Sequence, residues 1–158
     1  MKRILITGTQ GYIGSALAQY LRRWPEKYQV GFLSLREEAW RQADFGGYDA
    51  IVHAAAKSKD DPSQAELYDR VNHQLTRELA QKAKNEGVCQ FLFLSSESVY
   101  GLHAPVGKTL TITADTPLNP TDNYGISKLQ AEKALTALRD DHFRVAILRP
   151  PMIYGRDC

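Results

Sequence analysis

Close to its N-terminus the sequence reads Arg3-Ile4-Leu5-Ile6-Thr7-Gly8-Thr9-Gln10-Gly11-Tyr12-Ile13-Gly14, an apolar run that leads directly into a glycine-rich loop. The apolar, β-branched run predicts a strand, and apolar residues four positions apart at Ile13, Leu17 and Leu21 indicate a helix after the loop. Glycines at such a junction allow a tight turn (Gly8), close approach of a pyrophosphate (Gly11) and close packing of helix on strand (Gly14). The first helical turn, with Tyr12 and Ile13, offers unpaired N–H groups to phosphates. The stretch therefore predicts a dinucleotide-binding site.

The rest of the chain alternates between short apolar runs and helical patterns. Continuous apolar runs, typical of strands buried on both faces, occur at residues 28–35, 50–56, 91–94 and 144–148. Helical spacing occurs at residues 124–138 and at residues 67–86, where one stripe contains Leu67, Val71, Leu75 and Leu79. Strands that alternate with helices indicate βαβ units. We therefore predict an α/β fold with a Rossmann-type, doubly wound parallel sheet, in which residues 1–158 form one dinucleotide-binding domain.

The connection after the second predicted strand is short. Only 14 residues separate Leu35 from Ala50, and a parallel crossover needs about a dozen. There is room for one crossover with a short helix near residues 37–42, but not for an additional strand with its own helix. We therefore expect the sheet to be reduced at this segment.

Composition limits the class of protein. Of 158 residues, 43% are apolar and 24% are charged, which is ordinary for a globular domain with one core. The net charge of +2 is too small to indicate a nucleic-acid partner. The apolar runs are too short for a membrane helix or a signal peptide. Two cysteines, Cys89 and Cys158, are too few for a disulfide scaffold or a cysteine zinc site. We expect a cytoplasmic protein with no nucleic-acid, membrane or metal partner.

The position that would meet the adenosine ribose leaves the choice between NAD and NADP open. NAD sites carry an acidic residue about 20 residues beyond the glycines, but this chain has Ser34 near that position and Arg36 after it. Because a guanidinium suits phosphate oxygens, Ser34 and Arg36 are candidates for binding the 2′-phosphate of NADP. Alternatively, Arg36 begins a solvated helix with Glu37 and Glu38.

Tyr124 and Lys128 are four residues apart on a predicted helix and therefore share one face. A free tyrosine has a pKa of about 10 and is a poor base at neutral pH, but an ammonium and an oxidised nicotinamide nearby would favour the phenolate. Tyr124 would then remove a hydroxyl proton while hydride leaves for the cofactor, and Lys128 would also reach the ribose. A serine at the carboxyl end of the fourth predicted strand would hold the substrate oxygen; a plain turn is the alternative.

Together the motifs carry a family resemblance. In chain order they are Thr7-Gly8-x-x-Gly11-Tyr12-Ile13-Gly14, Val52-His53-Ala54-Ala55-Ala56, Val71-Asn72, Leu94-Ser95-Ser96-x-x-Val99-Tyr100-Gly101, Tyr124-Gly125-x-Ser127-Lys128 and Leu148-Arg149-Pro150-x-x-x-Tyr154-Gly155. The sequence resembles an extended short-chain dehydrogenase/reductase of the nucleotide-sugar epimerase/dehydratase branch. The resemblance implies that Ser96 is the catalytic hydroxyl, Tyr124 the acid/base and Lys128 its partner.

The same resemblance implies further contacts. Those with the cofactor would come from Ala54, Ala55 and Ala56 along its length, from Pro151 near the nicotinamide, and from Asp44 and Phe45 at the adenine. Dehydratases of the family carry an Asp-Glu pair where this chain has Glu97 and Ser98. Since only one carboxylate remains, epimerisation or simple oxidoreduction is favoured over water elimination.

Several polar residues have both a structural and a functional interpretation. His53 lies within an apolar run, and we expect a buried, hydrogen-bonded histidine rather than a catalytic base. Asn72 is expected to bond the backbone of the active site, with a core polar residue as the alternative. Lys57 and Lys59 follow the third apolar run, where a solvated loop is favoured over a contact with a substrate phosphate.

We predict an NAD(P)-dependent epimerase that acts on a nucleotide sugar by transient hydride transfer. The alternative is a non-catalytic dinucleotide-binding module or a truncated remnant of such an enzyme, because the sequence stops shortly after the last motif and the C-terminal substrate-binding lobe implied by the resemblance is expected to be absent. A reductase of a small carbonyl compound is a third option. Apolar surface left uncovered would favour self-association, so we also expect a homo-oligomer.

Overall fold

A computed structural model describes residues 1–58, 61–102 and 104–155. Within these ranges five strands form one parallel sheet in the order β2-β1-β3-β4-β5. The strands are β1 (Lys2–Thr7), β2 (Tyr28–Leu33), β3 (Ala50–His53), β4 (Gln90–Leu94) and β5 (Arg144–Leu148). The register aligns His53 with Thr7 on one side and with Phe93 on the other, so the strands end at a common carboxyl edge.

Helices connect these strands. They are α1 (Tyr12–Leu21), α2 (Ala65–Tyr68), α3 (Leu75–Asn85) and α4 (Asn123–Leu138), and a π-helical turn (Asp69–Gln74) joins α2 to α3 without a break. Short 3₁₀ turns lie at Glu38–Gln42, Pro62–Gln64 and Glu97–Tyr100. None of the described helices is both long enough and apolar enough to cross a membrane.

The sheet carries helices on both faces, as the doubly wound prediction requires. On one face Ala18 of α1 is buried against Ile6 and Val52. On the other face α3 and α4 bury Leu79 and Leu135 in a larger core. Removing these apolar side chains from water is the main driving force for docking the helices on the sheet. The fold class predicted from the sequence is confirmed.

The connection between β2 and β3 is reduced, also as predicted. Residues 34–49 are all described and contain the 3₁₀ turn Glu38–Gln42 but no strand. Trp40 on this turn is 2% exposed and belongs to the larger core. Two aromatic side chains of this segment, Trp40 and Phe45, are therefore buried in the core where the shortened segment has no full helix.

Element boundaries differ from the sequence predictions in ways that shape the carboxyl edge. β2 and β3 end at Leu33 and His53 rather than at residues 35 and 56, because the chain leaves the ladder to form loops there. The helix predicted over residues 67–86 contains the π-helical turn. Its buried side includes Tyr68, Asn72 and Thr76, while the predicted stripe at Val71 is only half-buried and faces a cleft.

Candidate active site

The glycine-rich loop joins β1 to α1 at the carboxyl edge, and two of its glycines have no space for a side chain. Gly8 has a φ of +73°, and a Cβ there would lie 2.5 Å from the Ala55 amide nitrogen. A Cβ on Gly14 would lie 2.5 Å from the Gly8 carbonyl oxygen. At Gly11, by contrast, a Cβ would meet only that same oxygen, at 3.3 Å. Gly8 and Gly14 therefore serve packing, and Gly11 leaves open space beside the loop.

The N-terminus of α1 lacks a capping side chain. Its N-cap residue, Gly11, makes no side-chain hydrogen bond to the helix, and the first turn contains no acidic residue. In α4, by contrast, the Asp122 carboxylate accepts a hydrogen bond from the Gly125 amide at 2.6 Å. Uncapped amides at the positive end of the helix dipole suit a phosphate group.

A cleft of about 900 Å³ opens beside the loop. It brings together predicted cofactor residues from three strand ends: Gly8 and Gly11 after β1, Ser34 and Arg36 after β2, and Ala54, Ala55 and Ala56 after β3. The facing wall comes from the π-helical turn and α3, with Arg70, Val71, Gln74 and Leu75. This volume lies in the range of sites that take drug-sized ligands or cofactors.

Three other residues predicted from the loop do not line the cleft. Gly14 is buried under Gly8, and Ile13 is half-buried in α1. The Tyr12 phenol lies beside the backbone of Gly155, near the end of the described chain. These residues would therefore contact a ligand in the cleft through the backbone amides of the first turn of α1, not through their side chains.

Asp44 and Phe45 do not line the cleft either, so the lining gives no support to the contact with adenine that the resemblance implies. Phe45 is fully buried in the larger core, and its amide donates to the Glu86 carboxylate at 2.7 Å. Asp44 is exposed and accepts a hydrogen bond from the Gly46 amide at 2.7 Å.

Pro151 is exposed and follows β5 at the carboxyl edge. The carbonyl of the preceding Pro150 accepts a hydrogen bond from the Glu97 amide at 3.1 Å. Pro151 therefore lies beside the 3₁₀ turn that follows Ser96, but it is not one of the residues that line the 900 Å³ cleft.

Tyr124 and Ser96 meet where α4 begins beside the end of β4. The close approach of α4 depends on Gly125, since a Cβ there would lie 2.6 Å from the Ser98 carbonyl oxygen. Burial raises the pKa of Tyr124, the hydrogen-bonding Ser96 side chain lowers it, and the Asp122 charge raises it. The net direction is upward. The neutral phenol is thus favoured in this structure, and the phenolate expected with both an ammonium and an oxidised nicotinamide nearby stays a prediction.

Lys128 is buried next to this pair, with 2% of its surface exposed. Its Nζ donates to the Leu94 carbonyl at 2.7 Å and lies 5.6 Å from the centre of the Tyr124 ring. Burial lowers the pKa of Lys128 from 10.5 to about 7, and the charge of Glu132 opposes this change. The helical spacing therefore brings the Lys128 amine close to the Tyr124 ring. With a pKa of about 7, this amine changes between its charged and neutral forms near neutral pH.

His53 is structural, as expected. It is 1% exposed, and its ring nitrogens are hydrogen-bonded to Thr7 Oγ1 at 2.7 Å and Thr76 Oγ1 at 2.8 Å. Burial, together with the charge of Lys128, lowers its pKa to about 3. Since both nitrogens are occupied inside the core, His53 fixes β1, β3 and α3 to one another.

Asn72 bonds the backbone next to the cleft. Its Oδ1 accepts from the Lys57 amide at 2.8 Å, and its Nδ2 donates to the Lys57 carbonyl and to Ser127 Oγ, each at 3.0 Å. Ser127 Oγ in turn donates to the Tyr124 carbonyl at 2.8 Å. Asn72 thus connects the loop after β3 to α4, and Lys57 lines the cleft. Lys59 lies outside the described residues.

Several groups around this site were not singled out from the sequence. Glu132 lies one turn beyond Lys128, is 3% exposed, and is bonded to Ser95 and Arg149. Gly125 was quoted only as part of a motif. The four-residue spacing of Tyr124, Lys128 and Glu132 is the signal that could have identified the acid.

Comparisons with known proteins identify the family to which the chain belongs. A model of the NAD dependent epimerase/dehydratase family matches residues 4–157. The UDP-glucose 4-epimerase of Vibrio cholerae is 34% identical over 174 aligned residues, which cover 98% of this chain and 52% of that protein. The methionine adenosyltransferase 2 subunit beta of Rattus norvegicus is 28% identical, with coverage of 98% and 48%.

Solved structures give the same result. The UDP-glucuronic acid 4-epimerase from Bacillus cereus, crystallised in complex with NAD, is 25% identical and superposes with a TM-score of 0.81. The superposition covers 97% of this chain and 57% of that structure. The chain spans about half the length of the curated relatives it matches.

Proposed function

Because the chain belongs to the NAD dependent epimerase/dehydratase family, we propose that it binds NAD or NADP along the carboxyl edge of the sheet and epimerises a nucleotide sugar, with Tyr124 as acid/base. The observation that carries the proposal is the convergence of Ser96, Tyr124 and Lys128 at the edge where the glycine-rich loop and its cleft lie. Open α/β sheets bind their ligands at this edge.

The residues of the cleft fit a dinucleotide. The uncapped N-terminus of α1 would take the pyrophosphate, with Gly11 leaving the space for it. Ser34 and Arg36 would meet the adenosine ribose, and Ala54, Ala55 and Ala56 present small side chains along the floor. When bound, the nicotinamide supplies reversible hydride transfer to and from the sugar carbon.

Tyr124 and its neighbours would move and hold the proton. Ser96 orients the substrate oxygen toward the phenol, and Tyr124 takes the hydroxyl proton and returns it. Burial raises the pKa of Tyr124, so positive charge near the ring is needed to form the base. The Lys128 ammonium, 5.6 Å from the ring centre, supplies part of that charge.

The substrate class follows from the relatives. One relative is named a UDP-glucose 4-epimerase, and the Bacillus cereus structure is a UDP-glucuronic acid 4-epimerase. Glu97 is followed by Ser98 rather than by a second acid. A single carboxylate favours epimerisation over the elimination of water, which needs both an acid and a base.

A second candidate function is a non-catalytic dinucleotide-binding module. The observation that favours it is the relative named as a subunit of methionine adenosyltransferase, which matches this chain over 98% of its length. A module of this kind would use the same cleft and glycine-rich loop, but it would not require chemistry at Tyr124.

The experiment combines cofactor binding with turnover. We expect NAD or NADP to raise the melting temperature of the chain and the wild type to interconvert UDP-glucose and UDP-galactose or a related UDP-sugar pair. Tyr124→Phe should keep the thermal shift and lose at least about 100-fold in turnover, since it removes the proton-transfer group. Tyr20→Phe, which changes an exposed tyrosine of α1, is the matched control and should behave as the wild type.

Two results would count against the proposal. Cofactor binding with no Tyr124-dependent turnover of any UDP-sugar in the panel favours the non-catalytic module. No thermal shift with either cofactor removes both candidates. Parallel titrations with NADH and NADPH decide which cofactor the Ser34–Arg36 end of the cleft prefers.

A further inference from the structure

Glu132 is a buried acid that the proposed reaction does not use. Its Oε1 accepts hydrogen bonds from Ser95 Oγ and, at 3.0 Å, from Arg149 Nε, and its Oε2 accepts from Arg149 Nη2 at 2.6 Å. The pair is therefore bidentate, the geometry that makes arginine–carboxylate bonds strong and directional. Holding a carboxylate inside a protein is costly, which indicates that the negative charge of Glu132 acts on a neighbouring group.

The bonds of Glu132 extend to every element that carries a proposed catalytic residue. Ser95 precedes Ser96, and its amide donates to the Leu148 carbonyl of β5 at 2.7 Å. Arg149 follows β5, and its Nη1 donates to the Tyr100 hydroxyl on the 3₁₀ turn at 2.9 Å. The carboxylate thus ties the ends of β4 and β5 and the 3₁₀ turn to α4.

The surroundings of Lys128 explain what the charge of Glu132 does. On α4, Tyr124 and Glu132 lie one turn before and one turn after Lys128, and Arg149 is bonded to both Glu132 and Tyr100. From the sheet Lys128 is faced by the neutral His53, the Phe93 ring at 4.6 Å and the Leu94 carbonyl. Of these groups, Glu132 is the one whose negative charge favours the ammonium form of Lys128.

We infer, on the basis of the function proposed above, that Glu132 is a positioning residue for the catalytic pair. Through its bonds to Ser95 and Arg149 it holds the residue before Ser96 and the end of β5 against α4, which carries Tyr124 and Lys128, and its charge favours the ammonium form of Lys128. Arg149 and Lys128 then share one carboxylate. Loss of Arg149 removes a positive charge from the neighbourhood of Lys128 while the attraction of the carboxylate remains, and loss of the carboxylate leaves both cations without a counter-charge.

This sharing predicts shifts of opposite sign in two variants. Glu132→Gln should lower the pH midpoint of the Lys128 amine by about one unit or more, because the attraction of a nearby carboxylate for the ammonium is lost. Arg149→Met should raise that midpoint, because Glu132 keeps its charge and has lost its other cation. If Glu132 and Arg149 only support packing, the Lys128 midpoint should rise in both variants, because looser packing lets water reach the amine and favours its charged form.

The measurement is an NMR titration of protein carrying isotope-labelled lysine, with the Lys128 signal identified by its absence in Lys128→Met. Glu86→Gln is the control, because Glu86, the residue that follows α3, forms an ion pair of the same four-residue spacing with Lys82. It should leave the Lys128 midpoint unchanged. An unchanged or raised midpoint in Glu132→Gln overturns the inference. If that variant does not fold, an unchanged or lowered midpoint in Arg149→Met still overturns it.

The titration needs neither cofactor nor turnover, so its result is separate from that of the proposed function. Where the wild type does turn over a UDP-sugar, Glu132→Gln should lower kcat with little change in KM, and Glu132→Asp should restore part of the loss. A chain that binds no dinucleotide but shows both midpoint shifts would keep the Glu132–Lys128 coupling and refute only the proposed chemistry.

Discussion

His53 lies wholly inside the fold, with a threonine hydroxyl at each ring nitrogen. A hydroxyl can both donate and accept, so Thr7 and Thr76 satisfy the neutral ring, which has one donor and one acceptor nitrogen. A second proton would convert the acceptor into a donor and place a positive charge near Lys128. The lowered pKa of His53, about 3, reflects this.

The consequence is a stability that falls with acid. In the unfolded chain the histidine binds a proton below a pKa of about 6.5, whereas in the folded chain it stays neutral down to about 3. Stability from this group is therefore complete above 6.5 and is lost as the pH falls toward 3. Between about pH 6.5 and pH 5 the loss amounts to about 2 kcal/mol.

Urea unfolding at neutral pH and near pH 5 measures this loss. His53→Gln should be less stable than the wild type at neutral pH and should lose less stability on acidification. His142→Gln, which changes an exposed histidine, should follow the wild type at both pH values. Equal acid sensitivity in His53→Gln and the wild type would show that other groups control acid unfolding.

The glycine-rich loop separates two functions of glycine within one element. Gly14→Ala places a Cβ 2.5 Å from backbone atoms of Gly8, so α1 must move away from the loop, at a cost of about 1–3 kcal/mol. Gly11→Ala meets one atom at 3.3 Å and should cost less in folding, but its methyl group enters the space proposed for the pyrophosphate.

Thermal unfolding with and without NAD tests both effects. Gly14→Ala should lower the melting temperature of the free chain. Gly11→Ala should remain close to the wild type in the absence of NAD and should lose most of the shift that NAD produces. A Gly11→Ala chain stabilised by NAD as strongly as the wild type would exclude Gly11 from the binding site.

Elements with a strong local pattern were predictable from the sequence. The apolar runs of β1 and β4, the helix that begins at Tyr12, and the meeting of Tyr124 with Lys128 all depend on spacing within one segment. The absence of a full helix between β2 and β3 followed from segment length. These features do not depend on the rest of the molecule.

Features that depend on contacts between distant segments were missed. The resemblance placed Asp44 and Phe45 at the adenine, and the sequence did not indicate that Phe45 is buried in the core with its amide bonded to Glu86. The bond between Glu132 and Arg149 joins α4 to the end of β5, and the π-helical turn orients Asn72 toward Lys57 and Ser127. Periodicity carries no information on such pairings, because they form only when the elements pack.

At the scale of the whole molecule, the helices formed by the described residues leave one side of the sheet partly uncovered. α1 covers Ile6 and Val52 on that side. Ladder partners face the same side of a sheet, so Leu94 and Leu148 lie together on it, two residues beyond Leu92 and Ala146. Leu148 is 48% exposed, on a strand that forms one edge of the described sheet. An apolar patch on an open edge strand favours association with another chain.

We therefore expect the chain to self-associate through the β4–β5 side, and Leu148→Lys to weaken that association. A charged side chain there would have to be desolvated in the contact, which costs more than the leucine contributes. Leu110→Lys is the matched control, because Leu110 is 47% exposed but lies in the long loop before α4. Sedimentation velocity over a concentration series should show a concentration-dependent dimer or larger species for the wild type and Leu110→Lys, and mainly monomer for Leu148→Lys. A wild-type chain that stays monomeric at every concentration, or equal loss of association in both variants, would exclude the β4–β5 side as the contact surface.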